Sequence, residues 1–146
     1  SAGKKPGGDI KDTRANIESN RYFTVHIAHR ELAGPMTETS RTLPRGESEL
    51  DRTNLELTEF EGFPLPRLAD CRIAMGCELY EIQQIGDFDQ SLIFGRILQM
   101  YVDDRAAYTD DKGRVRVDAT AVDPVGRLGG SEYVTFGDII RIPRPA

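Results

Sequence analysis

The chain has 146 residues, 38% of them apolar and 29% charged, with a formal net charge of -5. That balance describes one globular domain with room for a core, neither a disordered segment nor a membrane-embedded protein. Acidity argues against a nucleic-acid ligand, which needs a basic face, and no apolar run is long enough to span a bilayer.

The first patterned stretch is GKKPGGDIKDTRANI, residues 3–17. It predicts a glycine-rich loop leading into a short helix from Asp12 to Ser19, which Asp12 or Thr13 can cap. Lys4, Lys5, Lys11 and Arg14 cluster here, a local positive patch that suits a small anion. Glycines let backbone N–H groups approach an anion, and a helix N-terminus adds a favourable dipole, so the loop reads as a phosphate cradle. A solvated surface turn is the competing reading, and spacing alone favours it. Nucleotide signatures fail: Gly3 and Gly8 have the Walker separation, but Asp9 and Ile10 stand where Lys and Ser/Thr are required, and no GxGxxG occurs.

Arg21 to Ala28 (RYFTVHIA) is rich in aromatic and β-branched residues and predicts a strand. Arg30 to Ser40 has a helical pattern interrupted by Gly34 and Pro35. Residues 41–69 are irregular, with at most a helical turn around Ser48 to Arg52. An excursion of that length predicts a function or an interface, here an arm from Thr42 to Ala69 lying over a second subunit.

Asp70 to Ile85 and Ser91 to Val102 predict two long strands joined by a turn at Gly86-Asp87-Phe88-Asp89, a long hairpin. Asp103 to Lys112 reads as a polar loop, Gly113 to Asp118 as a short strand, and Ala119 to Leu128 as holding a helical turn. Ser131 to Ile142 supplies a last stretch, split by Gly137. The residues therefore predict a mainly β chain, an antiparallel sheet or barrel with a few short helices.

Cys71 and Cys77 are read within one strand, where six residues of separation put them roughly 20 Å apart, too far for a disulfide. Buried free thiols in a reducing, cytoplasmic compartment follow. His26 and His29 would face opposite sides and make no zinc site, so no metal is expected. In VGRLGGSEY, residues 125–133, paired glycines beside Arg127 and Tyr133 either line a site or form a tight turn. No triad or carboxylate pair has a positional signature, so no catalytic residue is assigned.

The order of these features resembles the flavin reductase-like, FMN-binding split-barrel family, particularly its flavoredoxin-type branch. The resemblance rests on Lys11-Asp12-Thr13, Asn16-Ile17 and Thr39-Ser40 in order, then Phe94-Gly95-Arg96 in the hairpin. Pro124-Val125-Gly126-Arg127-Leu128-Gly129-Gly130 with Tyr133 completes it. It covers essentially the whole chain. It implies that residues 1–146 form a split-barrel domain, the C-terminal portion of a longer one, since family members carry further strands before this point.

The resemblance further implies FMN as cofactor, its 5′-phosphate held by Lys11 and Thr13 with Asp12 orienting the turn. Ser1 and Ala2 would lie near the ribityl chain, and Arg127 and Tyr133 would contribute from the closing signature. The implied activity is NAD(P)H-dependent flavin reduction by a homodimer, with NAD(P)H as co-substrate. The alternatives are a flavoredoxin-like electron carrier serving a redox partner protein, and a flavin-free structural relative.

Overall fold

The computed structural model describes residues 2–5, 7–44, 46–87, 90–143 and 145. Helix α1 (Asp12–Asn20) buries Ile17 and is followed directly by strand β1 (Tyr22–Ile27). One residue, Arg21, makes the join in a left-handed conformation at φ 66°. Its N–H donates to Ile17 O at 3.0 Å, its carbonyl accepts from Leu79 N at 2.7 Å, and its guanidinium donates to Leu79 O at 3.1 Å.

A 3-10 turn at Arg30–Leu32 runs into α2 (Ala33–Glu38), so Gly34 and Pro35 do not break the helix as the sequence suggests. Pro35 falls in the first turn of α2, where an α-helical N–H would have no partner in any case.

The stretch from 42 to 69 holds a 3-10 turn at Glu49–Arg52, capped by the Ser48 hydroxyl, and the two-residue strands β2 (Leu57–Thr58) and β3 (Arg67–Leu68), which pair with each other. Part of the stretch packs onto its own sheet. Phe60 is buried, and Phe63 packs edge-on against Tyr22 with ring centroids 5.8 Å apart. Three aromatic or proline anchors fix a segment that has no apolar period: besides the two phenylalanines, Thr24 Oγ1 donates to Pro66 O at 3.1 Å.

Strands β4 (Ile73–Ile85) and β5 (Gln90–Val102) form the expected hairpin; Phe88 and Asp89 of its turn lie outside the described residues. The main sheet is antiparallel in the order β1-β4-β5. Its register aligns Phe23, Cys77 and Ile97 in one row and Val25, Met75 and Met100 in another, which puts an apolar row on one face. The pairing of the two long strands shifts register at bulges between Gly76/Cys77 and Leu79/Glu81, and Cys77 is the buried member of these rows while Val25, Ile97 and Met100 remain exposed. Cys71 precedes β4 rather than lying in it, and both cysteines are buried and free.

The expected polar loop instead contains a 3-10 turn at Asp104–Ala106 and strand β6 (Ala107–Thr109), paired with β7 (Val115–Val117). Helix α3 (Ala119–Val122) precedes the hairpin of β8 (Val125–Arg127) and β9 (Tyr133–Thr135). The last predicted stretch is strand only over β9; 136–143 has no regular structure, and Ile139, Ile140 and Ile142 are exposed. Among the described residues the architecture is mainly β with short helices, and no helix is long and apolar enough to cross a membrane.

Candidate functional site

The loop before α1 closes on itself. Lys4 and Ile10 form a bridge, Lys5 N donates to Asp9 O at 2.7 Å, and Gly8 N returns to Lys5 O at 2.9 Å with a φ of 92° that favours glycine. Lys11 N donates to Gly3 O at 3.4 Å and ends the lobe. Ala2, where the lobe begins, exchanges two backbone hydrogen bonds of 2.9 Å with Ser91 at the start of β5.

The positive patch is partly committed within the chain. Lys5 Nζ sits 2.7 Å from Asp12 Oδ2, which ties the lobe to the helix. Arg14 turns its Nε to Glu18 at 2.9 Å and its Nη1 to Ser91 Oγ at 2.8 Å. Lys11 is exposed and occupies the N-cap position of α1, and it makes no side-chain capping bond there. A helix start without a side-chain cap keeps N–H donors for a ligand, and its dipole favours an anion.

Ala2 and Thr13 line one cleft of about 630 Å³ together with Asn16, Ile17, Phe23, Val25 and Ile93. Asp12 lines a different cleft, with Lys5, Asp9 and Glu18. The structure thus brings Ala2, Lys11 and Thr13 around one end of α1 and turns Asp12 aside. Ser1 lies outside the described residues. Asn16, Phe23 and Ile93 were not among the residues the sequence singled out for the site. Thr13, Asn16, Ile17 and Asn20 recur at helical spacing, and that spacing is the signal that could have found Asn16.

Arg127 and Tyr133 face each other across the β8–β9 hairpin. Arg127 Nη2 donates to Gly130 O at 2.7 Å, its Nη1 approaches Tyr133 Oη at 3.4 Å, and that hydroxyl lies 2.8 Å from Thr37 Oγ1 on α2. They pin this hairpin to α2, and the cleft that holds Ala2 and Thr13 does not include them. VGRLGGSEY forms a tight turn, with Glu132 N donating to Gly129 O at 3.1 Å.

The other reactive side chains are quiet. Burial pushes the Cys71 thiol up to about 11, helped by the Asp70 charge and opposed by Arg67, and burial also raises Cys77. Neither is a thiolate at neutral pH. His26 Nε2 accepts from Leu68 N at 2.9 Å, and burial followed by the Arg67 charge lowers its pKa, so it is a neutral structural residue. A further cleft contains Arg30, Arg72 and Arg105, but Arg30 is paired with Asp123, Arg105 with Asp103, and Arg72 with the carbonyls of Ala121 and Val122. Among the described residues no cluster of His, Cys, Asp and Glu is arranged to hold a metal.

Residues 9–117 match the model of the flavin reductase like domain. The chain belongs to the flavin reductase-like family. It is 31% identical over 144 residues to the uncharacterised protein YwrF of Bacillus subtilis, covering 95% of this chain and 68% of that one. Nitrilotriacetate monooxygenase component B from Bacillus cereus has a similar structure, with a TM-score of 0.82 at 27% identity over 97% of this chain and 69% of its own. A protein from Shewanella frigidimarina assigned as a flavin reductase with a split barrel domain gives a TM-score of 0.79 at 26% identity, over 91% and 65% of the two chains. The fold of this flavin reductase-like chain is accordingly the split-barrel one.

Proposed function

We propose that this chain binds FMN and serves an NAD(P)H-dependent flavin reductase. One observation carries the reading: α1 begins on an exposed lysine without a side-chain cap, beside a largely apolar cleft that Thr13 shares. A cleft of about 630 Å³ is of a size that takes a flavin, and its lining is mixed, with Thr13 and Asn16 beside Phe23, Val25 and Ile93. Lys11, the Thr13 hydroxyl and the start of α1 suit a phosphate; Ala2, Phe23, Val25 and Ile93 suit an apolar ring.

When bound, the flavin supplies a ring that takes hydride from a nicotinamide. The chain's own residues bind and orient, and no acid or base of this site has to move a proton, consistent with the absence of a triad pattern. We extend the proposal to a homodimer and to a cytoplasmic setting. Exposed apolar residues on β5 support the first, and two buried free thiols support the second.

The test is titration of FMN and riboflavin into wild type and Lys11→Ala, followed by flavin fluorescence. A charge-assisted phosphate contact is worth roughly 1.5–3 kcal/mol, so Lys11→Ala should weaken FMN by at least about tenfold and leave riboflavin nearly unchanged. Equal weakening of both would remove the phosphate role, and a wild type that bound neither would remove the flavoprotein reading. FMN retained tightly without NAD(P)H oxidation would favour the electron-carrier alternative.

A further inference from the structure

Ser91 is only 1% exposed, yet it receives both stems of the opening lobe. Its backbone takes the incoming chain at Ala2 through two hydrogen bonds of 2.9 Å. Its hydroxyl accepts Arg14 Nη1 from α1 at 2.8 Å. The second edge of that guanidinium is held by Glu18, one turn along the helix at 2.9 Å, so Arg14 has little freedom to swing away. Two residues beyond Ser91 on the same strand face stands Ile93, a wall of the cleft.

This arrangement fixes a distance. The helix start, with its donors and Lys11, hangs from Ser91 through Arg14, while the apolar wall at Ile93 continues from Ser91 along β5. We propose that Arg14 and Ser91 are positioning residues that set the spacing between the anion end and the ring end of the cleft. The inference rests on the FMN reading of that cleft. Neither residue touches the ligand; each acts through the placement of α1. A ligand that engages both ends at once depends on this spacing, because its second contact is intramolecular and lost when the geometry does not match. A ligand lacking the phosphate does not.

The experiment uses the full chain with Ser91→Ala, Arg14→Leu and Arg14→Lys, each checked for an unchanged far-UV circular dichroism spectrum. Loss of the part-buried, charge-assisted contact should weaken FMN by about tenfold while riboflavin stays within about twofold. Arg14→Lys keeps a cationic donor and should recover part of the loss. Hydrogen exchange on the flavin-free chain supplies a second readout: amides at residues 13–16 should exchange faster in Ser91→Ala and Arg14→Leu, with those of the central part of β4 unchanged. Equal weakening of both flavins, or unaltered FMN affinity, overturns the proposal. Should wild type bind neither flavin, the functional reading fails separately, and the exchange data alone then decide: unaltered rates at 13–16 overturn the positioning role.

Discussion

Two glycines of the central hairpin lie under aromatic rings. A Cβ at Gly76 would stand 2.7 Å from Phe63 Cγ and Cδ2, and one at Gly95 would stand 2.5 Å from Phe23 Cζ. The two are not equivalent. Cζ is the far tip of a ring that can tilt, whereas Cγ is its root, tied to the backbone of a segment that Phe60 anchors. Gly76→Ala should therefore destabilise by about 1–3 kcal/mol, as overpacking of a settled core does. Gly7→Ala, with nothing within 4 Å of the added carbon, is the matched control and should cost nothing measurable. Urea unfolding midpoints decide: if the two variants melt together, the ring does not press on the backbone as described.

At the scale of the element, charge placement governs the turn between the main sheet and β6. Asp103 accepts from the Arg105 backbone N–H at 2.9 Å and from its guanidinium at 2.9 and 2.8 Å, which caps the 3-10 turn. These bonds, to the Arg105 side chain first and its backbone second, lower the carboxyl to about 2. A depressed carboxylate contributes stability above its unfolded pKa and loses it as pH falls through the folded one. Between about pH 4 and pH 2 wild type should thus lose stability, and Asp103→Asn should show a shallower slope there; parallel acid profiles would count against the cap.

Elements of this kind were unequally legible. The hairpin was plain, because alternation over thirteen-residue strands is a long signal. Strand β6 was hidden in polar sequence, since its pairing is secured by Asp110, which accepts from the N–H groups of Lys112 and Arg114 and from two arginine side chains. The proposed phosphate end of the site rests on local order around Lys11 to Thr13. Its anchor was not legible, because Arg14 and Ser91 stand 77 residues apart and nothing local pairs them.

For the whole molecule, the question is what the exposed apolar surface meets. Phe94, Ile97, Leu98 and Met100 are all more than 40% exposed along β5, the outer strand of the sheet among the described residues. An edge strand that carries four exposed apolar residues invites pairing or coverage. The proposed homodimer should scatter light as a particle of twice the 16.3 kDa chain mass at micromolar concentration. Leu98→Glu with Met100→Lys should shift that mass toward one chain if β5 takes part, and a monomeric wild type would end the proposal.

The single-residue join at Arg21 bears on how this chain tolerates rearrangement. With every backbone polar group of Arg21 engaged, helix and strand share one fixed joint, and no slack exists there for added residues. The tip at Gly7 and Gly8 is the opposite case, exposed and with open space around both glycines. Epitope tags, inserted domains and new chain termini belong at that tip, where the fold absorbs them. Placed after Asn20, even one extra residue would shift β1 out of its register with β4 and exchange the side chains on its two faces.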